Sequence, residues 1–287
     1  MPDLNTQTEI LRYAAFTRDP EGGNPAGVVL SADGLGDEVM QKIAADVGFS
    51  ETAFLFAPAT PGGPHAVRYF SPLAEVGFCG HATVALAVAY ADRHGAGRLV
   101  LQTRVGTVPV ETRQTGDGFT ATLVSVPPSV RDVTEEDLHE ALAALRWTPD
   151  DLDAALPPRI ANAGNDHLVL AARTRERLGE LHYDFDRLGA LMAARGWTTL
   201  QLVWKEDERS YHSRNPFPPG GVVEDPATGA AAAAFGGYLR ELGLVAVPTE
   251  VDILQGEDMG RPSALRLLIP ADRASGISVT GTAVPMR

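Results

Sequence analysis

Glu224-Asp225-Pro226-Ala227-Thr228-Gly229 runs directly into Ala230-Ala231-Ala232-Ala233-Ala234-Phe235, and the fold is read outward from this junction. Pro226 lacks a backbone N–H and cannot sit in a helix interior, so a helix begins at or after it, with Thr228 as its N-cap. The alanines that follow have the highest helix propensity of any residue. A helix of Ala and Gly has almost no side-chain girth, so other backbone can pack around every side of it. Such a helix suits a core. Its first turn presents N–H groups without partners inside the helix, together with the positive end of a dipole, and this makes an anion site.

A second helix start of this kind stands earlier, at Gly77-Phe78-Cys79-Gly80-His81-Ala82-Thr83, and runs to about His94-Gly95. What precedes each start also matches. In the first half Leu35, Val39, Ile43 and Val47 fall four apart behind the acidic Asp37-Glu38, Gly48 ends the helix, and Ser50 to Phe56 reads as a strand. In the second half a helical pattern around Phe185–Ala194 stops at Gly196, and Trp197 to Trp204 reads as a strand. Gly48 to Gly196 spans 148 positions and Gly80 to Gly229 spans 149. Paired strands follow each Gly/Ala helix, Leu99–Thr112 in one half and Val251–Ile269 in the other. Matched order at a matched offset predicts a duplication: two equivalent α/β domains packed about a pseudo-two-fold axis.

The expected boundaries are residues 1–128, an acidic helical connector over 129–158, and residues 159–287. Pro127-Pro128 and Pro157-Pro158 bracket the connector. Thr134-Glu135-Glu136-Asp137 and Thr148-Pro149-Asp150-Asp151 inside it read as two capped helix starts, a solvated outer helical pair without chemistry.

Of the 287 residues, 44% are hydrophobic and 21% charged, the balance of a soluble globular chain. A formal net charge of -13 argues against a nucleic-acid partner. No basic segment followed by an apolar one marks a signal peptide, and uncharged stretches such as Ala82–Ala91 are too short to span a bilayer. A single cysteine, Cys79, excludes an intrachain disulfide, and a cytoplasmic home is expected.

The two copies differ where chemistry could reside. Glu51 corresponds to Thr199, so acid–base work at that point is one-sided. Glu51 reads either as a surface glutamate at a strand end or as a carboxylate held beside an apolar strand, its pKa raised to suit proton transfer. Cys79-Gly80-His81 and Ala227-Thr228-Gly229-Ala230 are the matched helix tips. They read either as plain caps or as donors that hold a carboxylate and stabilise an enolate-like charge. His81 alone could be structural, and Asp225 alone could simply complement a helix dipole. A zinc site at Cys79 and His81 lacks a usual ligand spacing, and no cysteine pair exists. A two-thiol racemase is excluded because Thr228 stands opposite Cys79, although a single thiolate at a helix N-terminus stays open. No dinucleotide or phosphate-loop fingerprint occurs. Arg214 and Arg261 could reach an acidic substrate, with surface ion pairing as the plainer use.

Five stretches in order carry a family resemblance: Gly23-Asn24-Pro25-Ala26-Gly27-Val28-Val29, Ser50-Glu51-Thr52-Ala53-Phe54, Phe78-Cys79-Gly80-His81-Ala82-Thr83, Glu224-Asp225-Pro226-Ala227-Thr228-Gly229, and Gln255-Gly256 with Met259-Gly260-Arg261-Pro262-Ser263. From about residue 9 onward the chain resembles the PhzF-like phenazine-biosynthesis family, relatives of diaminopimelate epimerase. That resemblance implies an α+β fold of two pseudo-symmetric domains, each a curved sheet or barrel around a central helix, with the active site in the cleft between them. It also implies a homodimer, no cofactor and no metal.

By position, the family's proton-moving glutamate is Glu51, its helix-start histidine His81, and the acid of its Asp-x-Ala-Thr-Gly motif Asp225. Asn24, Cys79, Gly80, Thr228, Gly229 and Ala230 are the expected substrate contacts. Ala230 stands where the family often has serine, and Arg214-Asn215-Pro216-Phe217-Pro218-Pro219 replaces its aromatic-bearing stretch. The expected activity is a cofactor-independent isomerase moving a proton on a small carboxylate-bearing substrate. A non-catalytic small-molecule binding or interaction protein on the same scaffold is the alternative.

Overall fold

The computed structural model describes residues 8–116 and 118–286. Residues 1–7 and 287, which the expected domain boundaries include, lie outside the described residues. The chain forms two units: the first runs up to Leu123 and resumes at Gly281, and the second is Val124–Thr280.

In the first unit the elements are β1 (Leu11–Ala15), β2 (Asn24–Val29), α1 (Asp37–Val47), β3 (Glu51–Leu55), β4 (His65–Phe70), β5 (Glu75–Val76), α2 (Gly80–His94), β6 (Arg98–Thr103), β7 (Gly106–Thr115) and β8 (Gly118–Val124). In the second they are β9 (Ser129–Asp132), α3 (Glu135–Leu145), β10 (Arg159–Asn162), β11 (Asp166–Ala171), α4 (Arg175–Gly179), α5 (Phe185–Arg195), β12 (Trp197–Lys205), β13 (Ser210–Phe217), β14 (Val222–Asp225), α6 (Gly229–Glu241), β15 (Thr249–Gln255) and β16 (Ser263–Ile269), and the last strand, β17 (Ser278–Pro285), begins in the second and ends in the first.

The duplication is visible in the ladders. β1–β2, β3–β4 and β6–β7–β8 are antiparallel, while β2–β3 and β4–β6 are parallel. β10–β11, β12–β13 and β15–β16–β17 repeat this, with β11–β12 and β13–β15 parallel. The helices entering each parallel pair end alike. Gly48 and Gly196 both take left-handed backbone, φ 73 and φ 68, where a side chain would be strained.

The Gly/Ala helices lie at the centre. α2 is buried at every position from His81 to Ala89, and α6 at every position from Ala231 to Arg240. Their thin walls let strands from well-separated places in each sheet touch one helix, β1, β2, β3 and β7 on α2, and β9 to β12 and β16 on α6. Each sheet therefore curls around its helix.

The opposite face of each sheet carries the large apolar side chains. Val29, Phe54 and Phe70 meet Met40 and Ala44 of α1. Leu168, Leu170, Leu200 and Leu202 meet Ala141 and Leu145 of α3 and Leu188 and Met192 of α5. The fold is α+β, as expected.

The connector departs from the solvated helical pair expected of it. Its first capped start opens α3, whose Ala141, Leu142, Ala144 and Leu145 are buried in the core. The second makes one 3₁₀ turn, Pro149–Asp151. There Asp151 Oδ2 accepts from the Thr148 N–H at 2.7 Å and from its hydroxyl at 2.9 Å, and the chain then extends at Leu152. A capping box marks where a helix can start, not how far it runs. Among the described residues no helix is long and apolar enough to cross a membrane.

Candidate active site

Side chains alternate across a strand. Because Phe54 faces α1, Glu51, Ala53 and Leu55 turn the other way, toward α2. Glu51 opens β3 and pairs with Ala26 of β2, two residues from buried Asn24. Its carboxylate Oε2 lies 3.4 Å from His81 Nε2. Cys79 Sγ is 3.3 Å from His81 Nδ1 and 3.8 Å from Nε2, and Ser50 Oγ is 3.3 Å from Nε2. Cys79 and His81 are buried, whereas the Glu51 side chain keeps 19% of its surface open.

The tip of α2 is set rigidly. Cys79 is its N-cap in extended backbone, φ -144 and ψ 119. The Thr83 N–H makes an i→i−4 bond to the Cys79 carbonyl at 3.1 Å, and the Thr83 hydroxyl donates to the same oxygen at 2.6 Å. Buried Tyr69 backs this hydroxyl at 2.6 Å, and burial pushes the Tyr69 phenol well above its usual range. The N–H groups of Gly80, His81 and Ala82 precede that bond and point out of the helix end.

In the second unit Asp225 closes β14 opposite Asn215 of β13. Thr228 occupies the N-cap of α6, yet its hydroxyl does not cap the helix; it donates to Asp225 Oδ2 at 2.6 Å. The acceptor side of the same hydroxyl, which would take a helix N–H in a cap, accepts from Gln255 instead. Gln255 then holds the turn: its Nε2 donates to the Asp225 carbonyl at 2.8 Å and to Thr228 Oγ1 at 3.1 Å, and its Oε1 accepts from the Thr228 N–H at 3.1 Å. Gly229 and Ala230 open α6, half-buried.

The structure thus brings Glu51, Cys79, Gly80 and His81 together in one unit and Asp225, Thr228, Gly229 and Ala230 together in the other. Thr199, which pairs with His167, holds the strand position equivalent to Glu51. It meets His167 Nδ1 at 2.8 Å and Asn215 Nδ2 at 3.1 Å, so hydroxyl and amide stand where the first unit has an acid. Ser50 and Gln255 are participants that the sequence reading passes over as site residues. Both lie inside quoted motifs, and those motifs were the available signal. Arg214 does not form a surface ion pair: it is buried against Glu224.

The sequence model of one family, described as phenazine biosynthesis-like protein (PhzC-PhzF), matches residues 13–287. The chain belongs to that family. Trans-2,3-dihydro-3-hydroxyanthranilate isomerase from Pseudomonas chlororaphis is similar to it, 31% identical over 274 residues, with 94% of each chain covered. A phenazine biosynthesis protein of the PhzF family from Bacillus anthracis is 26% identical and superposes with a TM-score of 0.86 over 97% of this family member and 98% of that structure. A predicted epimerase from Pseudomonas aeruginosa is also 26% identical, with a TM-score of 0.85 over 98% of each.

Proposed function

We propose that this family member is a cofactor-independent isomerase that moves a proton on a small carboxylate-bearing substrate. The enzyme class is that of its relatives, one of them named an isomerase and one a predicted epimerase. The observation that carries the mechanism is the placing of the Glu51 carboxylate 3.4 Å from His81 at the amide-bearing tip of α2.

The substrate carboxylate binds the N–H groups at Gly80 and His81, where the helix dipole favours negative charge. Glu51 removes a proton from a carbon conjugated to that carboxylate. The electron pair moves into the conjugated system, and the same amides stabilise the enolate-like charge. Glu51 then returns the proton to another carbon, so the bonding is rearranged with no net change in composition. His81, with Nε2 3.4 Å from the Glu51 carboxylate, lines the site beside it and positions it. Because Thr199 replaces an acid in the second copy, one base serves both transfers, which favours a shift on one face over inversion.

The test uses trans-2,3-dihydro-3-hydroxyanthranilate and a panel of unsaturated hydroxy- and amino-acids in deuterium oxide, followed by proton NMR. Deuterium is expected to enter an accepted compound with the wild type. Glu51→Gln should lose the exchange by at least the ~10²–10⁴ that general base catalysis supplies. Full exchange in Glu51→Gln, or binding without exchange in the wild type, would overturn the reading.

A further inference from the structure

Three metal-binding atoms of different chemistry meet at the start of α2. Cys79 Sγ lies 3.8 Å from His81 Nε2, and the same Nε2 lies 3.4 Å from Glu51 Oε2. The ligand atoms of all three residues fall within 4.8 Å of one another. A tetrahedral zinc ion, at ~2.3 Å from thiolate sulfur and ~2.0–2.2 Å from imidazole nitrogen and carboxylate oxygen, holds such atoms roughly 3.3–3.6 Å apart. The two measured edges are within a few tenths of an ångström of that span, and because Sγ is nearer to Nδ1, at 3.3 Å, the imidazole turns for the Nε2 lone pair to face a shared ion. Thiolate with imidazole and carboxylate is a donor mix that suits zinc, whereas magnesium and calcium take oxygen. Sequence spacing hides the site because the third donor arrives from β3, on a separate strand.

We propose that Glu51, Cys79 and His81 form a zinc site with a fourth position open to water, and that zinc bound there switches the enzyme off. The switch rests on Glu51 being the proton carrier proposed above: a carboxylate lone pair engaged by zinc cannot take a proton from carbon. Ser50 Oγ, 3.3 Å from Nε2, gives up that contact when the nitrogen ligates. Within the second unit, His212 sits between Glu257 and Glu206, at 2.6 Å and 3.2 Å. That group has no thiol, so the sulfur ligand distinguishes the two sites.

The experiment titrates the full chain, freed of metal by a chelator, with zinc against a chromophoric zinc indicator, and repeats the titration with cobalt(II) by absorption spectroscopy. One zinc per chain is expected, with affinity lowered at least ~100-fold by Cys79→Ser and by His81→Asn, a larger loss than outer-shell changes give. Cobalt should show a sulfur-to-metal charge-transfer band that is absent in Cys79→Ser and kept in His212→Ala. The wild-type cobalt spectrum needs no variant, so a variant that fails to fold leaves the test intact. Undiminished zinc binding in Cys79→Ser, or a cobalt spectrum without the sulfur band, would overturn the site. Zinc bound at the triad with deuterium exchange untouched would overturn the switch. A zinc-free chain that exchanges no compound would remove the isomerase reading while the metal site stands on its own titration.

Discussion

Arg214 grips Glu224 with two parallel hydrogen bonds, Nε to Oε1 at 2.9 Å and Nη2 to Oε2 at 2.6 Å, while its Nη1 donates to the Gly179 carbonyl at 2.7 Å. The two side chains keep 10% and 5% of their surface open. Burial works against the guanidinium charge, but the Glu224 bonds outweigh it and hold the Arg214 pKa above its ordinary value. Glu224 immediately precedes Asp225, so the pair fixes the strand end from which Asp225 meets Thr228.

Removing one partner of a buried ion pair strands the other charge in low dielectric. Arg214→Met should therefore cost ~3–5 kcal/mol of unfolding free energy, and Arg214→Met combined with Glu224→Leu should recover much of it. Urea unfolding of both variants checks this. A single-variant loss below ~1 kcal/mol, the range of an exposed pair, would contradict the buried assignment.

His167 gives the fold a defined pH dependence. Burial pushes its folded-state pKa down from 6.5 to about 4, against the opposing effects of its Thr199 hydrogen bond and Asp166. Between those values the unfolded chain takes a proton that the folded chain refuses. This contribution is fully present above pH 6.5 and is lost as the pH falls toward 4. The shift amounts to ~3 kcal/mol. His167→Gln should flatten the slope of unfolding free energy against pH across that window relative to the wild type. Parallel slopes would mean that His167 takes up its proton as readily in the folded chain as in the unfolded one.

The central helices were legible because composition alone decides them. The run of Ala and Gly after the Asp225-Pro226 turn has one structural use, a buried central helix, and the small residues of α2 serve the first unit in the same way. The repeat was legible because matching glycines end matching helices. Contacts made across register were not. Ser50, Gln255 and the Arg214–Glu224 pair act through partners brought near by strand pairing, and local sequence carries no record of that. The connector failed for a related reason: exposed Glu135 and Glu136 of α3 looked like solvation, while Asp137, Leu142 and Leu145 are buried. The single turn at Pro149–Asp151 carries every start signal of a helix and nothing that extends it.

Gly237 tests how tightly the central helix is wrapped. A Cβ there would lie 2.3 Å from Pro128 Cβ, closer than real contacts allow. Helix propensity favours alanine over glycine by ~1 kcal/mol, so the sign of Gly237→Ala discriminates between the two effects. The overpacking cost of ~1–3 kcal/mol should match or exceed the gain. No net stabilisation is therefore expected in urea unfolding, whereas a clear increase would mean that Pro128 moves aside freely.

Cys79 and Glu51 sit beside one imidazole, and their variants separate two chemistries. If Glu51 carries the proton, Cys79→Ala in zinc-free buffer should retain deuterium exchange within ~10-fold of wild type, since the thiol lines the site without giving or taking the proton. Glu51→Gln should lose exchange by ~10²–10⁴ while melting within a few degrees of wild type. Single-thiol chemistry predicts the reverse order, because a thiolate nucleophile or base at a helix N-terminus cannot be replaced by a methyl group. Measuring both variants on one substrate, with circular dichroism to confirm folding, decides between them. A Cys79→Ala enzyme as inactive as Glu51→Gln would move the proton carrier from β3 to the tip of α2.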